Sequence, residues 1–426
     1  MQNTRFINAI VLTMDNQKII MNGEVEVQNN LIIYVGKNRN LKNFNGETID
    51  TKGNIIMPGF VNTHCHAGMS CLRGVGDGSS FGNWWIDNIR PLEAKMQNPN
   101  LHDSTKLSFL EMIKSGITTV LDLYFNVEGT AKVALETGMR TNIGFGSIAG
   151  GVLDELDEEY KTLLSYGELI KPVIYCHAPY SSDEYSYMKA IEFAQKHDLV
   201  LTTHVSETLE EVGEIHKKFG KTPIGLLESY GYFDHKNILA HCVCCDKDDV
   251  ELMKEYNTIS VSTNPSSNLY LGSGIAPIYS YLTNGINVCI GTDGPASNNC
   301  LNMFKEMFLT KNLQSGILNQ PDAISAMQTL EMATINGAKA LNYNNLGAIK
   351  EGFLADIIMI DMNNFNMQPK ENFISNLVSS AGVENVLLTM INGKILYRNG
   401  KFTNDYDLPS LSKSVDDYYK FLSNTK

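Results

Sequence analysis

No run of about 18 apolar residues occurs in these 426 residues, so no transmembrane helix is expected. Basic residues are in the minority: 34 Lys and Arg stand against 47 Asp and Glu, a formal net charge of −13. Nucleic acid and anionic membrane surfaces select basic patches, so neither is expected as a partner. The first residues, Met1 to Arg5, lack the charged-then-apolar layout of a secretory signal. Eight cysteines are scattered along the chain, and Cys242-Val243-Cys244-Cys245 has no second Cys-x-x-Cys to pair with. Neither a disulfide framework nor a thiolate metal cluster is therefore expected, and the reading is cytoplasmic. Gly-x-Gly-x-x-Gly after a first strand and the P-loop are also missing, which removes the common phosphate-binding turns.

What is present is a chain able to bury a large core, 43% hydrophobic and 19% charged. Its length suits a large barrel with a satellite domain. Residues 1 to 54 read as β throughout, with Asn29-Asn30 as a turn between short β-branched segments. From residue 55 onward, apolar β-rich runs alternate with amphipathic helical ones. Strand candidates fall at 55–63, 117–123, 140–146, 173–176, 200–203, 237–240, 258–262 and 287–291. Eight such alternations give a (β/α)8 TIM barrel, an α/β fold. After about residue 342 the pattern returns to β, with Asn392-Gly393 as a hairpin turn and a helix over 416–422. The expected architecture is a barrel inserted in a small β-sandwich domain formed by both chain termini. Its divisions are 1–57, 58–344 and 345–426.

Barrel enzymes carry their chemistry at the C-terminal ends of the strands. The first candidate strand ends in His64 and His66, which alternation places on one side. The fourth ends in His177, the fifth in His204 followed by Glu207, the sixth in His241 and the eighth in Asp293. Five of the nine histidines sit at these ends, and imidazole is the commonest metal ligand. The other four, His102, His197, His216 and His235, read as ordinary helix or loop residues. Cys65 alternates away from the two histidines and reads as packing.

Four motifs carry a family likeness: Pro58-Gly59-Phe60-Val61-Asn62-Thr63-His64-Cys65-His66, His204-Val205-Ser206-Glu207, His241-Cys242, and Gly291-Thr292-Asp293-Gly294 with Pro295 to Asn299. The chain resembles the amidohydrolase superfamily in its deaminase branch, and within it the 5-methylthioadenosine/S-adenosylhomocysteine deaminases. Leu72-Arg73-Gly74, Trp84, Pro91-Leu92-Glu93 and the segment Asn264 to Gly272 fit that group's spacing.

The resemblance implies one divalent metal ion, zinc by preference with Fe2+ or Mn2+ as alternatives, held by His64, His66, His204 and Asp293. It implies that Asp293 accepts a proton from water, that His241 hydrogen-bonds the nucleophile, and that Glu207 protonates the ring nitrogen beside the attacked carbon. General acid–base help of this kind is worth about 10²–10⁴-fold. It further implies His177 at the purine, Trp84 near the sugar, Glu93 on the ribose hydroxyls and Ser297 in a substrate loop. Relatives that accept S-adenosylhomocysteine carry arginines after the third strand, and 141–157 has no Arg or Lys. Neutral 5′-methylthioadenosine, 5′-deoxyadenosine and adenosine are therefore the expected substrates, ahead of S-adenosylhomocysteine. The catalytic alternatives are deamination of guanine, cytosine or a pterin, or triazine hydrolysis; a non-catalytic barrel is the third reading. The partner is a small molecule, and a homo-oligomer is an open expectation.

Overall fold

The computed structural model describes residues 3–39, 41, 43–79, 81–96, 101–147 and 156–424. Five strands precede the barrel: β1 (Asn3–Leu12), β2 (Ile19–Gln28), β3 (Leu31–Lys37), β4 (Glu47–Asp50) and β5 (Ile55–Pro58). The barrel strands are β6 (Phe60–Cys65), β7 (Ile117–Asp122), β8 (Arg140–Ser147), β9 (Ile170–Cys176), β10 (Leu201–Val205), β11 (Asn237–His241), β12 (Ile259–Thr263) and β13 (Asn287–Ile290). Then come β14 (Ile357–Ile360), β15 (Val386–Ile391), β16 (Lys394–Arg398) and β17 (Lys401–Phe402).

Neighbouring barrel strands pair in parallel and in chain order from β6 to β13. Every residue of β6, β7, β10, β11 and β12 is buried, as expected where helices cover a parallel sheet. The ring closes between β6 and β13 largely through side chains. Asn62 Oδ1 accepts from Thr292 N at 2.9 Å, Asn62 Nδ2 donates to Thr292 Oγ1 at 2.8 Å, and Thr63 Oγ1 donates to the Ile290 carbonyl at 3.0 Å. One backbone bond joins them, from Asp293 N to His64 O at 2.9 Å.

The remaining nine strands form one mixed sheet, in the order β17-β16-β15-β14-β5-β1-β2-β3 with β4 on β1. Both termini thus supply it, and Phe6, Val25, Ile357 and Leu388 share its core. The Asn392-Gly393 turn joins β15 to β16 with positive φ at both residues, 51° and 74°, the geometry of a type I′ hairpin.

Two sequence expectations are corrected in extent. The apolar run 55–63 is two strands in two sheets, β5 and β6, not one. Gly59 N donates to the Asp356 carbonyl at 3.0 Å and Phe60 N to the Gly116 carbonyl at 2.9 Å, so the chain changes partners at this residue. A Cβ at Gly59 would stand 2.1 Å from Thr118 Cγ2, so glycine alone fits the crossing. The C-terminal helix runs from Leu408 to Asn424, well beyond the expected 416–422. Its Val415, Tyr418 and Leu422 pack with Leu72, Trp84 and Tyr124 at the C-terminal face of the barrel.

Barrel and sheet are also joined by charge. Arg140 on β8 donates to both Asp356 oxygens, at 2.7 and 3.0 Å, with both side chains buried. Removing either partner of such a pair strands a buried charge, at a cost of about 3–5 kcal/mol. Among the described residues no helix is long and apolar enough to cross a membrane.

Candidate active site

The strand-end side chains singled out in the sequence converge on one centre. His66 Nε2 lies 3.3 Å from Asp293 Oδ1, His64 Nε2 3.5 Å from the same oxygen, and His204 Nε2 3.4 Å from His66 Nε2. A four-coordinate ion with bonds of about 2.0–2.1 Å holds adjacent donor atoms about 3.3–3.4 Å apart, so these spacings fit a tetrahedral ligand cage. Two outer bonds aim the donors. His66 Nδ1 donates to the Leu123 carbonyl at 2.6 Å and His204 Nδ1 to the His177 carbonyl at 2.7 Å, which turns each Nε2 lone pair inward. His64 is fully buried, and neither of its ring nitrogens has a hydrogen-bond partner. Buried unsatisfied nitrogens are costly, and a cation supplies the missing partner.

Burial favours the neutral form of His64 and His204, the form that binds metal. His64 is pushed down to about 4 by burial, with the Asp293 charge opposing the shift. His204 is driven well below its ordinary value by burial and by the neighbouring imidazoles. For Asp293 burial acts upward, yet the adjacent His64 and His66 bring the carboxyl well below the usual range. Asp293 Oδ2 also accepts from Ser267 Oγ at 2.6 Å and Ser297 Oγ at 2.9 Å. Asp293 is therefore an oriented carboxylate.

His241 stands beside this group, and its nitrogen lies within 4.8 Å of those of His64 and His204. Its Nδ1 donates to Asn268 Oδ1 at 2.8 Å, leaving Nε2 as an acceptor. Glu207 Oε1 is 3.7 Å from His241 Nδ1. Burial, reinforced by the charge of Asp293, raises the Glu207 pKa well above the ordinary value. The backbone here is strained: φ is +50° at Ser206, +74° at His241 and +61° at Asp293. Positive φ at residues other than glycine costs of order 1–3 kcal/mol each, and three such residues at adjoining strand ends mark a functional centre.

A cavity of about 490 Å³ opens from this centre. Its wall includes Trp84, Glu93, His177 and Ser297, the four residues the family likeness assigned to substrate. The Tyr124 hydroxyl donates to Glu93 Oε1 at 2.9 Å, and Trp84 Nε1 donates to the Val75 carbonyl at 3.1 Å. His177 Nδ1 is 2.6 Å from Ser181 Oγ. The hydroxyl of Ser297 is turned to Asp293 rather than to open space. His102, His197, His216 and His235 lie outside the cavity wall, and no cysteine joins a metal-capable group among the described residues. Of the cation-free segment 141–157, residues 148–155 lie outside the described residues.

Trp85 on the cavity wall and three residues behind it escaped the sequence reading. Trp85 stacks on His177 with centroids 6.1 Å apart and planes 22° from parallel. It follows Trp84 in a π-helical turn, Trp84–Ile89, a geometry common at functional sites and invisible to a 3.6-residue period. The usable signal was that the chain's two tryptophans are adjacent. Ser267 and Asn268 lay within a recognised motif but were given no role there. Glu211 accepts from the backbone amides of Ser206 and Glu207, at 3.0 and 2.8 Å.

Comparison with known proteins agrees with this geometry. Residues 55–396 match the model of the amidohydrolase family. A 5-methylthioadenosine/S-adenosylhomocysteine deaminase of Caldicellulosiruptor saccharolyticus is 34% identical, over 97% of this chain and 97% of that protein. A 5′-deoxyadenosine deaminase of Methanocaldococcus jannaschii is 36% identical, over 95% of this chain and 99% of its own length. Among solved structures, a zinc-bound adenosine deaminase of Xanthomonas campestris superposes with a TM-score of 0.94 at 28% identity, covering 100% of this chain and 99% of that one. A barrel closed beside converging strand-end histidines, with a family match spanning most of the sequence, shows that the chain belongs to the amidohydrolase family.

Proposed function

We propose that this protein is a hydrolytic deaminase of adenosine-type nucleosides, releasing ammonia from 5′-methylthioadenosine, 5′-deoxyadenosine or adenosine. The observation that carries the reading is the placing of two buried carboxyls on one cavity, Glu207 beside His241 and Asp293 among the strand-end histidines, with burial shifting the first upward and the histidines drawing the second downward. An aromatic amidine carbon is a poor electrophile until its ring nitrogen is protonated. Deamination therefore needs a proton donor on the ring and a proton acceptor at the water, and the two carboxyls are set apart for those tasks by their environments. The names of the relatives from Caldicellulosiruptor and Methanocaldococcus support the nucleoside class.

In this reading His64, His66, His204 and Asp293 hold one divalent ion, zinc by preference. When bound, the ion supplies Lewis acidity and makes water nucleophilic near neutral pH. Asp293 takes the proton of the attacking water, its second oxygen fixed by Ser267 and Ser297. His241 Nε2 accepts a hydrogen bond from the same water, held in register by Asn268. Glu207 protonates the ring nitrogen next to the attacked carbon, then relays a proton to departing ammonia. Glu93 accepts the ribose hydroxyls, Trp84 borders the sugar and His177 the purine. We also read the compartment as cytoplasmic, on the strength of eight free thiols.

The test is ammonia release by the zinc-loaded protein against adenosine, 5′-deoxyadenosine, 5′-methylthioadenosine, adenine, guanine, cytosine and a pterin. Turnover of nucleosides above free bases is expected. Activity confined to guanine, cytosine or the pterin would overturn the nucleoside assignment and leave only the hydrolytic chemistry.

A further inference from the structure

The second barrel strand, β7, supplies none of the donors in the cage, yet its end grips one of them at three points. Cys65 and Asp122 lie opposite one another in the parallel pairing of β6 with β7. Leu123 N donates to the Cys65 carbonyl at 2.9 Å, His66 Nδ1 donates to the Leu123 carbonyl at 2.6 Å, and Ala67 N donates to Asp122 Oδ1 at 2.6 Å. Asp122 and Leu123 therefore hold the residue before His66, the His66 ring and the residue after it. Two of these bonds run to the backbone of Leu123, which any residue there provides. The third depends on the side chain at position 122.

Ala67 opens the short 3₁₀ helix Ala67–Leu72, whose first amides have no partner within the helix. The His66 side chain caps none of them, because it is turned to the cage. Asp122 supplies the cap from the neighbouring strand. It is 1% exposed, and its other oxygen accepts from Thr130 Oγ1 at 3.4 Å.

His66 stands just past Cys65, the last residue of β6, where the chain leaves the strand at φ −127° and ψ 73°. The Nδ1 bond fixes its ring at one point, about which ring and backbone can still rock together. Holding Ala67 N fixes the peptide that follows His66, so ring and backbone are both pinned. His66 Nε2 then lies 3.3 Å from Asp293 Oδ1 and 3.4 Å from His204 Nε2. A constellation of this kind loses its fit when one member strays by more than about 0.5 Å.

We propose that Asp122 is a positioning residue for the metal centre: by accepting the Ala67 amide it keeps His66 at cage spacing, and without it the centre holds its ion weakly. The inference rests on the ligand set of the reading above. It assigns the task to the acceptor oxygen rather than to the charge, so asparagine can replace aspartate here. The amide oxygen of Asp122→Asn accepts the same N–H, and its NH2 group faces the Thr130 hydroxyl, which can accept as well as donate.

The test follows zinc rather than turnover. The zinc dissociation constant and the rate of zinc release to a chelator are measured for wild type, Asp122→Ala and Asp122→Asn. The absorption spectrum of each Co2+-loaded protein and the unfolding midpoint of each metal-free protein are measured beside them. Outer partners of ligating histidines are worth about 10- to 100-fold in metal affinity. Asp122→Ala should weaken zinc by about that factor, through faster release, and should alter the Co2+ spectrum. Asp122→Asn should stay within about threefold of the wild type, because the bond is kept. Asp122→Val fills the space without an acceptor and replaces the alanine variant if that one does not fold. Wild-type zinc affinity in the alanine or valine variant, with only the unfolding midpoint lowered, would mean a merely structural cap and would overturn the proposal. An asparagine variant as weak as the alanine one would mean that the charge is what counts, and would overturn it equally. Failure of the metal reading would look different: the wild type itself would bind no zinc, and the proposal would fall with it.

Discussion

The carboxylate of Glu211 accepts the backbone amide of Glu207 at 2.8 Å and that of Ser206 at 3.0 Å, so one buried acid holds the peptide that carries another. Glu211 is the third residue of the helix Leu209–Phe219, and its own amide donates to Thr208 Oγ1 at 3.2 Å. Half of a capping box is thus kept, while the carboxylate reaches beyond Thr208 to the strand end, where Ser206 has φ of +50°. Glu211→Ala leaves two buried amides unpaired, each worth about 1–3 kcal/mol. We expect a lower unfolding midpoint and a kcat reduced at least about tenfold, with KM less affected and bound metal per chain unchanged. Loss of stability with kcat intact would remove Glu211 from the positioning of Glu207.

Glu207→Gln tests the proton donor directly. The side chain keeps its size but loses its acid, and kcat should drop by about 10²–10⁴-fold. A nucleoside whose leaving group departs without proton help, such as 6-chloropurine riboside, should lose less. Equal losses on both substrates would confine Glu207 to ring protonation and remove the relay to ammonia, and an unchanged kcat would remove it as the proton donor.

Ion dependence is the third expectation. Chelation should abolish ammonia release and zinc should restore it, with about one equivalent bound per chain by elemental analysis. His66→Ala removes one of the spaced donors and should reduce that stoichiometry. Full metal content in this variant would move the site elsewhere.

Glu306 gives a pH prediction with a definite sign. It is fully buried under two short helices, Pro265–Tyr270 and Pro295–Asn298, accepting from Ser266 N at 3.0 Å and Asn298 Nδ2 at 2.9 Å, and burial pushes its pKa up to about 7 against those two bonds. The folded state therefore holds this proton longer than the unfolded chain, whose carboxyl titrates near 4.5. Its stabilising contribution is fully present below about 4.5 and is lost as pH rises through about 7. Glu306→Gln cannot ionise, so its Tm minus that of the wild type should become more positive between pH 5 and pH 8, by about 2 °C or more. A flat difference would mean the carboxyl titrates normally.

Much of this was legible in the sequence because period and position coincide. Each barrel strand is a short apolar run, and each strand-end residue follows directly from where its run stops; His204 and Asp293 needed no knowledge of packing. What could not be read depends on neighbours distant in the chain. The break at Gly59 is set by Thr118 and Asp356, and a run of apolar residues carries no mark of which sheet it joins. Trp85 faces the cavity because of a π turn rather than any periodic pattern. The hydroxyls of Ser267 and Ser297 matter through Asp293, which only the folded chain brings near them.

The barrel closes where Asn62, Thr63 and His64 meet Ile290, Thr292 and Asp293. That join is also where the donor atoms gather, with two histidines on one flank and the aspartate on the other. An ion held there is a rivet through the seam of the cylinder, joining segments some 230 residues apart in sequence. Emptying it should fray the first and eighth strands before any other part of the ring. In hydrogen exchange, the amides of β6 and β13 should lose protection first, while β9 to β11, on the far side, keep theirs.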